Sequence, residues 1–126
     1  MLYTISGILY VVMLFFNSIY SEVKVTATIY HAVEGQTDST PDTTASMFKI
    51  DLKNPRKHNI IAVSRDLEKL GFKLGTKVKV TGAGNLDGIW NIEDRMNKRF
   101  TKRIDFLVNT SLKGGKWENV KIQTIK

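Results

Sequence analysis

Cysteine is absent from this chain of 126 residues. That excludes a disulfide framework, a thiolate metal site and a thiol nucleophile. Histidine is scarce: His31 and His58 are too few for a histidine-rich metal cluster, and no nucleophile motif stands beside either. Neither a metal nor a cofactor is expected. Charge of either sign is missing from Met1 to Ser21, within which Ile5 to Phe16 is a nearly continuous apolar run. That run has the length of a secretory h-region and is short for a membrane span of about 20 apolar residues. Residues 1–21 are therefore expected to be a signal peptide or membrane anchor, although the usual Lys or Arg of an n-region is lacking. Cleavage is the reading taken, with an exported product in the periplasm, cell envelope or extracellular space. A buried N-terminal helix is the alternative, but nothing downstream suggests a helical partner for it. Gly82 to Gly88 lacks the Lys-Ser/Thr of a phosphate-binding loop, and no helix follows it. No internal repeat and no low-complexity linker interrupts the chain.

What remains is one domain, 22–126, of about 105 residues, enough for one modest core. The leader is uncharged, so the whole net charge of +7 belongs to this domain. Such a domain either meets polyanions, such as wall polymers, anionic lipid or nucleic acid, or uses its charge only for solubility. Val23, Val25, Ala27 and Ile29 alternate with polar residues, a half-buried strand. Further strands are expected at Ile60–Val63, around Val78–Val80, at Ile89–Ile92, at Ile104–Val108 and, as a last edge strand, in Trp117–Ile125. Ser64 and Gly71 bracket one or two helical turns. Glu34–Ser46 is a hydroxyl-rich loop, either solvated or lining a carbohydrate or phosphate site. Six short strands with long connections predict a mainly β fold, a small barrel with one or two short helices.

Two carboxylates stand out, eleven positions apart: Asp94 ends one apolar run, and Asp105 interrupts another between Ile104 and Phe106. A charge is rarely buried in a plain β-core without a partner. Asp105 therefore either faces an open groove, where acid/base work is possible, or is held in an ion pair by Arg99, Lys102 or Arg103. By alternation, Arg103 shares its face of the strand.

Several short pieces, in their order, resemble a known family. They are Thr26-Ala27-Thr28-x-Tyr30, Gly35 to Pro41, Thr44-Ala45-Ser46, Ile61 to Leu67, Leu74 to Val78, Asp94 to Asn97 and Lys102 to Asp105. Together they resemble the 3D (three-aspartate) domain of bacterial cell-wall proteins, related to the catalytic barrel of membrane-bound lytic transglycosylase A and to stationary-phase muralytic enzymes. The resemblance covers about Val25 to Val108. It implies a six-stranded double-psi β-barrel that cleaves peptidoglycan, with Asp105 as catalytic acid/base and Asp94 beside it in the catalytic set. The third aspartate maps to Asp66, because Ser64 stands where many members carry Asp. Tyr30, Thr37, Asp38, Thr44 and Ser64 are expected to line the groove, and Lys102 and Arg103 to meet substrate carboxylates. Two departures bear on substrate preference. Met47 stands where a small residue, usually Gly, follows Thr-Ala-Ser, and Arg95-Met96-Asn97-Lys98 replaces a Gly-Gly segment.

The resemblance implies cleavage of the bond between N-acetylmuramic acid and N-acetylglucosamine to give a 1,6-anhydro product. Asp105 must then carry a proton well above its reference pKa of about 3.9. Burial and Asp94 would raise it, while Arg103 or Lys102 close by would lower it. The expected partner is the peptidoglycan glycan strand, met by a monomer with possible membrane attachment through residues 1–21. The competing reading is a glycan-binding, wall-loosening barrel that cuts nothing. A nucleic-acid binder fits the charge but not the export segment, and only two tryptophans could serve as stacking platforms.

Overall fold

The computed structural model describes residues 22–33 and 40–125. Residues 1–21, expected to be a signal peptide or anchor, lie outside the described residues, together with Thr37 and Asp38. Six strands form: β1 (Val23–Tyr30), β2 (Ile60–Val63), β3 (Lys77–Thr81), β4 (Gly88–Arg95), β5 (Arg103–Leu107) and β6 (Lys116–Thr124). Among the described residues one short α-helix, α1 (Arg65–Glu68), follows Ser64 and its chain reverses through Gly71 at φ 104°, while Pro55–His58 and Gly84–Leu86 form 3₁₀ turns. That positive φ is the left-handed conformation that glycine adopts without steric cost.

The strands close into a barrel in the order β1-β5-β2-β4-β3-β6. β1 runs parallel to β5 and β2 parallel to β4, and the other four contacts are antiparallel. Exchanging β1 with β4, β2 with β5 and β3 with β6 leaves every pairing and its sense unchanged. The topology thus has a two-fold repeat that the sequence does not display. β6 lies between β3 and β1, so the expectation of an edge strand is wrong: closure leaves no edge. The alternation of Trp117–Ile125 is weak because β6 is irregular. Between Val25 and Ala27 of β1 the register passes from Val120 to Trp117, and Asn119 takes φ 55°.

Inside the barrel, alternate residues meet as the period-two pattern requires: Val25 and Ala27, Ile61 and Val63, Val78 and Val80, Trp90 and Ile92, Ile104 and Phe106, Val120 and Ile122. Phe106 is central, 4.7 Å from the Trp90 ring and edge-on to Trp117 at 5.9 Å. Burying each large apolar side chain contributes about 1.5–3 kcal/mol. A second, smaller cluster lies on the outer surface of β2 and β5. It gathers Tyr30, Ile50, Ile60, Ala62, Met96 and Leu107, with Phe100 packed against it. β2 is therefore apolar on both faces, which is why Ile60-Ile61-Ala62-Val63 reads as a continuous run rather than an alternating one. This outer cluster is the base on which the site is built.

Candidate functional site

Strand register sets the site. Thr28 of β1 pairs with Asp105 of β5, Asp105 pairs with Ala62 of β2, and Ala62 pairs on its other side with Asp94 of β4. Partners in register carry their side chains on the same face. Thr28, Asp105, Ala62 and Asp94 thus form one row across the outside of the barrel. The two aspartates stand two strand spacings apart, about 9–10 Å between Cα atoms. Ala62 between them has no side chain beyond Cβ, and this leaves room. The space above it is a cleft of about 490 Å³ whose lining includes Tyr30, Ile50, Ala62, Asp94, Phe100 and Asp105.

Asp94 reaches that row only through an irregularity. Trp90 and Ile92 point into the core, so unbroken alternation would send Asp94 inward as well. The register instead jumps from Ile61–Ile92 to Ala62–Asp94, making Glu93 the extra residue of a β-bulge. A bulge re-aims the side chain that follows it. Glu93 is secured from the 40–50 segment, where Ser46 donates its backbone N–H to the Glu93 carbonyl at 3.1 Å and its hydroxyl to the Glu93 carboxylate. The turn that does this is closed by Thr44. Its buried hydroxyl accepts the Phe48 N–H at 3.0 Å and bonds the Ser46 hydroxyl at 3.0 Å. Asp94 then accepts the N–H groups of Ala45 and Arg95, each at 3.0 Å, and the Tyr30 hydroxyl at 3.2 Å. Burial, with Asp94 and then Asp105 nearby, holds the Tyr30 phenol well above its ordinary pKa. It therefore remains a neutral O–H donor.

Asp105 sits in a different environment. Burial raises its pKa above the ordinary value, opposed by the Thr28 hydrogen bond and the Arg103 charge. The Arg103 guanidinium does not pair with it directly. It donates through Nε at 3.2 Å and a terminal nitrogen at 3.1 Å to Thr28 Oγ1, and it lies 4.7 Å from the Phe100 ring centroid. With its lone pairs so engaged, the single hydroxyl hydrogen of Thr28 turns to Asp105 Oδ1. Thr28 thus separates the cation from the acid and fixes one carboxyl oxygen as an acceptor. Among the described residues the other carboxyl oxygen has no hydrogen-bond partner.

The cleft brings together Asp94, Asp105 and Tyr30. The other residues singled out from sequence lie elsewhere. Asp66 accepts the Lys102 N–H at 2.9 Å, and Lys102, at φ 46°, passes its carbonyl to the Thr26 N–H at 3.0 Å. Asp66 therefore pins the left-handed residue from which β5 starts. Burial opposes its ionisation, but hydrogen bonds from Ser64 and the Lys102 backbone hold its pKa below the usual value. Ser64 is fully buried, and its hydroxyl accepts the Arg103 N–H at 3.0 Å. Thr44 shapes the turn over Asp94. Thr28, Ala62, Arg65 and Phe100 belong to the site and were not singled out, and Arg99, expected as a possible ion-pair partner of Asp105, lines the cleft without pairing with it. Thr28 shares the Tyr30 face by alternation, a usable signal, but pairing it with Asp105 requires the β1–β5 register.

Among the described residues, no group of three or more His, Asp or Glu side chains is placed to hold a metal ion. The chain matches no family model, no curated protein and no solved structure.

Proposed function

We propose that the protein is an exported peptidoglycan lytic transglycosylase on a double-psi β-barrel, with Asp105 as its general acid/base. One observation carries the reading. A half-buried carboxyl with a raised pKa faces the same cleft as Asp94, while the Arg103 guanidinium turns two of its donors onto Thr28 and makes no direct ion pair with the acid. The two parallel pairs exchanged by the internal repeat support the double-psi assignment.

Protonated Asp105 gives its proton to the glycosidic oxygen between N-acetylmuramic acid and N-acetylglucosamine. The C1–O bond breaks, and positive charge develops on the muramyl ring. Ionised Asp105 then takes the proton of the muramyl 6-hydroxyl as that oxygen closes on C1. The products are a 1,6-anhydro end and a free 4-hydroxyl, with no water consumed. Asp94 and the Tyr30 hydroxyl form a polar wall opposite, suited to orienting the sugar and to opposing the developing charge. A retaining or inverting hydrolase would instead need a second carboxylate as nucleophile or as base for water.

The test is digestion of purified peptidoglycan by the full chain in non-ionic detergent and by its Asp105→Asn variant, with soluble products analysed by mass. 1,6-Anhydro ends from the parent alone are expected. Reducing ends would replace this mechanism with hydrolysis. Retention on the polymer without products would make the barrel a glycan-binding module, the reading that competes with the enzyme.

A further inference from the structure

The cleft has a floor of one charge and a rim of the other. Asp94 and Asp105 lie at the row, whereas Arg65, Arg95 and Arg99 line the same space. Arg95 is accounted for, because its Nε and a terminal nitrogen engage the two carboxylate oxygens of Glu68 at 3.0 and 2.8 Å. The other two are not. Arg65 uses only Nε, on the Met96 carbonyl at 3.3 Å. Among the described residues its terminal amino groups have no hydrogen-bond partner, and neither Arg65 nor Arg99 is in an ion pair. Arg99 is set 4.7 Å from the Phe100 ring centroid, and its backbone is tied to the Asn97 carboxamide at 3.0 Å. Both cations thus stand exposed on the cleft rim, one on α1 and one in the turn between β4 and β5, with their terminal amino groups turned to no protein acceptor among the described residues.

A neutral sugar offers hydroxyls and amides, whereas among the described residues Arg99 has no carboxylate partner and Arg65 acts only at a distance on Glu68, whose two oxygens are taken by Arg95. A carboxylate matches the planar fork of arginine donors and gives short charge-assisted bonds. Asp94 and Asp105 are not the intended partners, since Asp94 is held by Tyr30, Ala45 and Arg95, and Asp105 by Thr28. We infer that Arg65 and Arg99 form a carboxylate-binding subsite on the cleft rim, which takes a free carboxylate of the stem peptide on the glycan strand. The inference rests on the glycan reading above, but it concerns binding and not cleavage.

The test uses the full chain carrying Asp105→Asn, so that no strand is cut, and fluorescently labelled soluble glycan strands read by anisotropy. Three strands are compared: peptide-bearing, peptide-bearing with amidated carboxylates, and peptide-free with exposed lactyl carboxylates. Peptide-bearing strands should bind about tenfold tighter than amidated ones, equivalent to about 1.4 kcal/mol. Adding Arg65→Gln and Arg99→Gln should abolish that difference with an unchanged urea midpoint. Lys79→Gln with Lys121→Gln, on β3 and β6 away from the cleft, should leave it intact. Tight binding confined to peptide-free strands would overturn the stem-peptide assignment in favour of the lactyl group. Equal binding of native and amidated strands, or a preference that survives loss of both arginines, would overturn the subsite. A carboxylate preference in a parent that releases no products would sink the enzyme and leave the subsite standing. Failure to bind any strand would sink both.

Discussion

Replacing Thr28 by Val keeps the shape of the side chain and removes one hydroxyl. That hydroxyl accepts two bonds from Arg103 and donates one to Asp105. Hydrogen bonds to charged groups contribute about 1.5–3 kcal/mol each, and neutral ones about 0.5–1.5. The three share one oxygen at a half-buried position, so a joint loss of about 1.5–3 kcal/mol is expected. For a domain of this size that lowers Tm by roughly 6–20 °C. The loss also has a sign in pH. The folded-state pKa of Asp105 already lies above its unfolded value. Its contribution is thus most favourable below about pH 3.9 and is lost as pH rises through the folded pKa. Valine withdraws a bond that favours the carboxylate and raises that pKa further, so the deficit of the variant should be larger at pH 7 than at pH 4. Urea unfolding at both pH values, with Thr28→Ser as the conservative rescue, measures this. A Thr28→Val loss below about 0.5 kcal/mol, or a deficit that shrinks as pH rises, would refute the bridging role. The second result would mean that Arg103 had closed directly onto Asp105.

Met47 stands at φ 69° and is largely exposed, with 79% of its surface accessible. Met47→Gly should stabilise the barrel by about 0.5–1 kcal/mol, since a left-handed conformation costs an L-residue about 1–2 kcal/mol and glycine returns part of that as chain entropy. A lower urea midpoint would contradict this. Asp66→Ala should cost about 1–3 kcal/mol by freeing the Lys102 N–H, whereas Asp66→Asn, which still presents an acceptor, should recover most of it. Full stability in Asp66→Ala would show that the start of β5 does not depend on this bond.

Local pattern carried most of the strand assignments. Alternation at Val23–Ile29 and Val78–Val80, and the apolar runs at Ile60–Val63 and Ile104–Val108, each became a strand because one face meets the barrel core. Asp105 was legible for the same reason, as a charge among buried neighbours. Asp94 was legible as a carboxylate but not as a member of the same row, because alternation alone would have sent it into the core. Glu93 carries no local mark of a bulge. The register of β4 on β2, held by Ser46 from a distant turn, creates it. Arg103 was rightly placed on the Asp105 face, yet whether it neutralises the acid depended on Thr28, 75 positions earlier.

Composition and periodicity by themselves determined a cysteine-free, basic, mainly β domain with one carboxylate inside a strand, because side-chain burial on a pleated strand is a local, period-two property. Closure of the barrel, its internal two-fold exchange and the row from Thr28 to Asp94 were decided only in the tertiary structure. Those features depend on which strands pair and in what register, and backbone hydrogen bonds between distant segments set that pairing. The chemistry at Asp105 follows the same division: its burial could be anticipated from Ile104 and Phe106, but the separation of acid from cation is a product of the β1–β5 register.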